Sequence, residues 1–435
     1  MAIHIKTAGT PLEKLWLESP CAVLYDFANK MPGEDIVLHL SGAPFYIFQN
    51  SQSAQHIWRG NPENYQKYFG TYDTFFGKSR LTTDGELWRS LKKYSQPFIT
   101  NTKPADIIEA TVKYFDIAIV GILEDSGVSN RITIDDAFDL AAASTVCETT
   151  LGFPLEAWGA GAIDELRAIL KYAAVVNWRK LDESSKSDTK LVADAVHAKE
   201  SLARRLAKLS SQYTESGTNT DLFAILLEAS NKDVDLMGEV CTLLFAGFET
   251  TASGLGWAAY LLATMPELQE KLCSQMQTLP SDRAPTIKEL TALTDLQSFI
   301  NEALRMFPPI PLLGRKAVDD DVINGTEVKA GELAFISIIG LHHDANYYSR
   351  PSNFTIARFP EGKPRTKNIE NFMPFADGKR VCVGARFANI EMLAALSTIL
   401  RSVKLSLPET TPLLFNWEAS LRRKDGHLLE VVSRN

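Results

Sequence analysis

Between Val240 and Met265 the chain is almost wholly apolar, and Glu249 is the one charge in the run. The stretch is long enough to cross a membrane, but Glu249 and the frequent Thr and Gly argue against a span. It reads instead as a core helix within a helical segment over 232–264, against which other elements must pack. Inside it, Ala246-Gly247-Phe248-Glu249-Thr250-Thr251 breaks several local rules. A mid-helix Gly costs roughly 1 kcal/mol against Ala, and Thr is also unfavourable there. A buried Glu is costlier still unless paired or wet. These features predict a functional kink where water or a diatomic molecule can enter the helix groove. The alternative is structural: a Thr hydroxyl bonded back to the i−4 carbonyl, with the Glu held in an ion pair.

A second feature lies late in the chain, at Phe375-Ala376-Asp377-Gly378-Lys379-Arg380-Val381-Cys382-Val383-Gly384. It sets one cysteine before a segment of helical spacing (Phe387, Ile390, Leu393, Leu396, Leu400). A thiol at a helix N-terminus meets free backbone N–H groups and a positive dipole end. Both favour thiolate, the metal-binding form. Gly378 and Gly384 allow tight turning and close approach to a flat object, and Arg380 can pair with an anionic edge of it. An isolated cysteine would more simply be a small buried hydrophobe.

Composition narrows the class. The chain's 435 residues are 45% hydrophobic and 23% charged, as in a soluble protein with a large core. A net charge of −8 argues against general nucleic-acid binding. The five cysteines show no C-x-x-C pair and no disulfide framework, which fits a reducing compartment. The first residues have no basic stretch followed by an apolar run, so the expectation is a cytoplasmic protein without a signal peptide or membrane anchor.

Residues 36–48 read as two short strands joined at Ser41-Gly42-Ala43-Pro44. Residues 65–80 read as an aromatic loop carrying Phe75 and Phe76, and a helix begins at Gly85. Helical patterns fill most of 107–209, with breaks near 126–128 and 152–154, and continue through 221–230, 266–278 and 294–307. The run 182–188 reads as a polar loop or cover, and strands are expected at 333–339 and 428–432. No repeat, low-complexity tract or long linker divides the chain. The expectation is one mainly α domain over 1–435 with a small β region.

The pattern Phe375-x-x-Gly378-x-Arg380-x-Cys382-x-Gly384, continuing through Phe387, Ala388 and Glu391, resembles the haem-binding loop of the cytochrome P450 family, in its soluble, bacterial-type form. Ala376 departs from it, since the family more often has glycine there. Ala246 to Thr251 is similar to the family's oxygen-activation motif. Glu302-x-x-Arg305, followed by Phe307-Pro308-Pro309, is similar to its Glu-x-x-Arg helix, with Arg358 standing where the third member of that network occurs. The order of the three motifs matches, and the resemblance runs from about residue 36 to about 430.

The resemblance implies a P450 fold with haem b between the central helix and the helix after the cysteine loop. Cys382 would be the proximal thiolate. Glu249 would pass protons inward and Thr250 would hydrogen-bond dioxygen and water. Trp88 and Lys92, one helical turn apart, and Arg315 would face the haem propionates, although lysine replaces the family's arginine and lacks its fork. The competing reading for Lys92 is a solvated basic face, and for Arg315 a surface ion pair. Glu302, Arg305 and Arg358 would hold the proximal side. Thr242, Phe245, Ala246, Ile310 and Leu312 match pocket positions, with Phe75, Phe76 and Trp178 as further candidates. The implied reaction is monooxygenation of an apolar small molecule. Glu249 and Thr250 weigh against peroxygenation; phenol coupling, desaturation or a non-catalytic haem sensor stay open. No flavin or iron–sulfur signature is present and about 35 residues follow the helix after Cys382, so no fused reductase is expected. A separate acidic ferredoxin or flavodoxin is expected to dock on Arg89, Lys92, Lys93, Lys363, Arg365, Lys367, Lys379 and Arg386.

Overall fold

The structure is a computed structural model and describes residues 2–7, 9–40, 43–68, 72–126, 131–159, 161–179, 189–216, 221–230, 234–364, 370–408 and 412–434. The expected loop at 182–188 and the Trp178 side chain lie outside the described residues.

The helices that frame the centre are α1 (Gly85–Asn101), α2 (Pro104–Ser126), α3 (Asp135–Val146), α4 (Ala162–Arg179) and α5 (Thr189–Ser216). Further along come α6 (Leu236–Thr264), α7 (Thr294–Met306) and α8 (Ala385–Ser402). The apolar run is α6. Its start is set by Asp235, whose carboxylate accepts from the Gly238 amide at 2.9 Å, satisfying an N–H that the helix cannot. Both α3 and α8 pack on α6, α2 packs on both of those, and α4 pairs with α5.

The segment expected to kink lies within α6, which is α-helical without interruption from Leu236 to Thr264. Gly247 serves packing. A Cβ built on it would lie 2.7 Å from a Val146 methyl, so only glycine lets α3 come this close.

A six-stranded sheet forms the smaller β region, from β1 (Ile3–Lys6), β2 (Ile36–Leu40), β3 (Ala43–Phe48), β4 (Tyr65–Lys67), β5 (Leu312–Ala317) and β6 (Leu333–Ser337). Its order is β1-β2-β3-β6-β5-β4. The expected pair at 36–48 forms in antiparallel register, Ile36 opposite Ile47 and Leu38 opposite Phe45. The strand expected at 333–339 stops at Ser337, whose hydroxyl caps a short helix, Ile338–His342, by accepting from the Gly340 amide at 3.0 Å. Leu312, a pocket expectation, is buried and belongs to the same apolar cluster as Ile36, Leu38, Phe45, Phe335 and Ile339.

Strands at Arg131–Thr133, Val403–Ser406 and Leu428–Ser433 make a three-stranded sheet. A hairpin of β7 (Phe415–Trp417) and β8 (Leu421–Arg423) lies against α6. It is fixed there by Ser253 Oγ and Trp257 Nε1, which both donate to the Leu421 carbonyl at 2.6 Å.

Candidate active site

The cysteine loop is built by long-range clamps. Asp377 accepts from its neighbour, the Gly378 amide, at 2.7 Å, and Arg59 forks onto the same carboxylate at 2.7 and 2.6 Å. Gly378, at φ +71°, sits against the Trp58 carbonyl so tightly that a Cβ would lie 2.3 Å from its oxygen. The Cys382 amide donates to the Phe375 carbonyl at 2.9 Å and closes the loop. Gly384 then caps α8.

Ala376 is left-handed, at φ +59°, which costs an L-residue roughly 1–2 kcal/mol. The departure from glycine therefore has a physical price. Ala376→Gly is expected to stabilise the protein by about 1 kcal/mol, read as a higher denaturant midpoint with unchanged slope.

Cys382 is exposed, yet protein surrounds it closely enough that burial pushes its thiol pKa up. The Gly384 and Ala385 amides and the charges of Lys67 and Arg80 pull the other way, as expected at a helix start, without overcoming burial. A bound metal cation would supply the missing stabilisation of a thiolate here. On α6, Ala246 is exposed and Thr250 half-buried while Phe245, Phe248 and Glu249 are buried. The middle of the central helix therefore faces open space. α6 also packs on α8, the helix that follows the cysteine loop.

Cations gather beside the thiol. Arg380 donates to the Asp84 carboxylate and to the Thr83 carbonyl at 2.9 Å, while its Nη1 is buried with no partner. Its guanidinium lies 3.8 Å from the Trp88 ring centroid, and Lys92 Nζ lies 4.9 Å from the same ring. Arg315 is 4% exposed, so it is no surface ion pair; its guanidinium donates to the Gly314 carbonyl at 2.8 Å. Burial, aided by the Arg380 charge, lowers its pKa to about 10. Lys67 stands opposite Arg315 across β4 and β5 and is pushed well below its usual pKa by burial. Arg80 is lowered as well, again by burial.

Among the described residues the carboxylates acting on these four cations are Asp84, Glu239 and, at Arg380, Glu63, three against four. An unpartnered guanidinium nitrogen in a cationic recess with a thiol fits a flat, metal-bearing dianion such as haem, with Arg380, Arg315 and Lys67 able to face its carboxylates. Lys67 and Arg80 were not among the sequence candidates. Neither lies in a motif, and only the pairing of β4 with β5 and the turn before α1 bring them in.

On α6, Thr250 Oγ1 donates back to the Ala246 carbonyl at 3.0 Å. Glu249 points elsewhere, accepting from Ser420 Oγ at 2.5 Å and from Arg422 at 3.2 and 2.9 Å. Both halves of the structural alternative are therefore present. Glu302, Arg305 and Arg358 do meet. Arg305 forks onto Glu302 at 2.7 and 2.9 Å, and Arg358 Nε reaches it at 3.0 Å. Arg305 also donates to the His342 carbonyl at 2.9 Å, and His342 Nε2 accepts from the Met373 amide at 2.9 Å. This links the network to the entry of the cysteine loop. Burial lowers the His342 pKa to about 3, in keeping with a neutral ring whose Nδ1 faces the Arg305 carbonyl.

Of the pocket candidates, Phe76 and Phe245 stack at 6.2 Å, with Tyr72 alongside at 6.4 Å from Phe245. Phe75 instead meets Tyr172 edge-on at 4.8 Å. Thr242 is buried on α6 and Ile310 half-buried after the prolines. On the expected docking face, Arg89, Lys93, Lys379 and Arg386 are exposed. Lys379 faces Glu63 and Arg386 donates to the Thr100 and Thr102 carbonyls. Arg365 and Lys367 lie outside the described residues.

The family model for cytochrome P450 matches residues 14–431. The chain belongs to the cytochrome P450 family. It is therefore a monooxygenase of the haem-dependent oxidoreductase class. Relatives of this P450 include the chloroplastic protein LUTEIN DEFICIENT 5 of Arabidopsis thaliana, 25% identical over 90% of this chain and 70% of the relative. Human cytochrome P450 4V2 is 25% identical over 92% and 82%, and human cytochrome P450 3A5 is 24% identical over 82% and 76%. The P450 is mainly helical with small sheets, as expected. Among its described residues no helix is long and apolar enough to cross a membrane.

Proposed function

We propose that this P450 inserts one atom of dioxygen into an apolar small organic substrate, with haem b held by the Cys382 thiolate. The unpartnered Arg380 nitrogen amid buried and half-buried cations, beside an exposed thiol, carries this reading. Dioxygen activation with two electrons and two protons is the chemistry that haem supplies when bound. The chain's own residues do the rest. Arg380, Arg315 and Lys67 orient the haem carboxylates, with Trp88 and Lys92 backing Arg380. Thr250 holds a hydroxyl at the open turn of α6, where it can pass a proton once it leaves the Ala246 carbonyl. Glu249 is the proton source behind it. Phe76, Phe245 and Thr242 orient the substrate and exclude water. Glu302, Arg305 and Arg358 keep the proximal side in place.

Electrons come from a separate acidic ferredoxin or flavodoxin, steered by the exposed Arg89, Lys93, Lys379 and Arg386 against a net charge of −8. The chain works as one catalytic unit in the cytoplasm.

The deciding measurement is the carbon monoxide spectrum of the reduced, haem-loaded protein. A red-shifted Soret band is expected from thiolate ligation, and Cys382→Ala is expected to lose it. A Cys382→Ala protein that keeps the band would overturn the assignment.

A further inference from the structure

The segment from Gly77 to Arg80 runs without helix or strand between the aromatic side chains of the pocket and α1, and it is pressed onto the first turn of α6. Two glycines make the contact possible. A Cβ on Gly77, at φ +85°, would lie 2.1 Å from the Asp235 carboxylate, and one on Gly238 would lie 2.5 Å from the Lys78 carbonyl oxygen. Two carboxylates one helical turn apart then lock the segment in place. Asp235 accepts from the Lys78 amide at 3.0 Å while it caps α6, and Glu239 accepts from the Arg80 amide.

Glu239 is a costly residue for such a task. It is fully buried, its second oxygen has no partner, and burial pushes its carboxyl up to about 7. Holding a loop needs no buried acid, since a neutral acceptor would serve.

What lies beyond the Arg80 amide gives the acid a purpose. The Arg80 guanidinium donates from Nη1 to Ser95 Oγ at 2.9 Å. Ser95 follows Trp88 and Lys92 at helical spacing on α1, so the three share the face that backs Arg380. The Arg80 charge also acts on Cys382. Arg80 is thus fixed at both ends, its backbone by the central helix and its side chain by α1, with its charge on the thiol side of the recess.

We propose that Glu239 is a positioning residue for Arg80: it clips the Arg80 backbone to α6 so that the guanidinium stays beside the Cys382-bound haem and raises its reduction potential. This rests on the reading of Cys382 as the haem ligand. A nearby positive charge favours the reduced, less positive iron. Glu239 acts through Arg80, and the sign of its effect shows it. Deleting a negative charge by itself would raise the potential, whereas releasing Arg80 lowers it.

The test uses haem-loaded protein, with two readouts that need neither substrate nor donor protein: the haem reduction potential and hydrogen exchange at the Lys78 and Arg80 amides. Arg80→Leu is expected to lower the potential. Glu239→Leu is expected to lower it too, and to speed exchange at Arg80 about tenfold, the factor carried by one bond to a charged group. Glu239→Gln, whose amide oxygen still accepts from the Arg80 amide, is expected to show no fall. In an Arg80→Leu background, Glu239→Leu is expected to add no further fall. An unchanged or raised potential in Glu239→Leu overturns the proposal, as does an unchanged potential in Arg80→Leu or a fall that persists without Arg80. Should Glu239→Leu fold poorly, Ser95→Ala frees the guanidinium and leaves the clip intact. It is expected to lower the potential with wild-type exchange at Arg80, and a wild-type potential there overturns the proposal as well. The carbon monoxide spectrum of the wild type separates the two readings. Without the red-shifted band the Cys382 assignment falls and this proposal with it; with the band present, any failure belongs to Glu239 alone.

Discussion

Thr250→Ala is expected to bind haem normally and to lower product formed per dioxygen consumed by about 10²–10⁴-fold, the usual range for a positioned acid–base group. Its hydroxyl sits at the open turn of α6 with a single bond, to the Ala246 carbonyl. Losing that bond costs the helix little, because i−4 back-bonding is itself slightly unfavourable. The loss therefore falls on chemistry and not on folding. The measurement pairs dioxygen uptake with product and peroxide assays, alongside the carbon monoxide spectrum as a check on intact ligation. A Thr250→Ala enzyme with wild-type coupling would remove Thr250 from the mechanism.

Glu302→Ala is expected to act in the opposite way, on the fold. Glu302 and Arg305 are fully buried, and the carboxylate accepts from Arg305 twice, from Arg358 and from the Thr355 amide. Deleting it strands the Arg305 guanidinium in the interior and leaves Arg358 half answered. Breaking one side of a buried pair costs about 3–5 kcal/mol, a large part of the stability of a typical domain. The expected result is a lower denaturant midpoint and poor haem retention, since Arg305 connects through His342 to the start of the cysteine loop. Glu302→Ala protein that loads haem fully and unfolds at the wild-type midpoint would show the network to be dispensable.

The two residues illustrate what the sequence made legible. Glu302, Arg305, Cys382 and Thr250 lie in local patterns, where spacing fixes which side chains share a turn or a face. The central helix was readable for the same reason, since apolar length alone demands burial. Gly247 is ambiguous in the sequence, because a small residue signals either a weak helix or a close neighbour. Only Val146, about a hundred residues earlier, decides between them. Lys67, Arg80 and Arg422 carry no local signal. Each acquires its role from a residue far away in the chain: Lys67 from Arg315, Arg80 from Cys382, and Arg422 from Glu249.

The clamps on the cysteine loop have a kinetic corollary. Arg59 meets Asp377 across 318 positions, and Arg380 meets Asp84 across 296. Contacts so distant form only after a large loss of chain entropy has been met by other packing. The loop is thus expected to take shape late, once the amino-terminal sheet and the last long helix have already found each other. A nascent or truncated chain would carry the cysteine motif without the means to grip a porphyrin. Cofactor uptake would then act as a proofreading step, in which acquisition of colour reports that both ends of the polypeptide have come together.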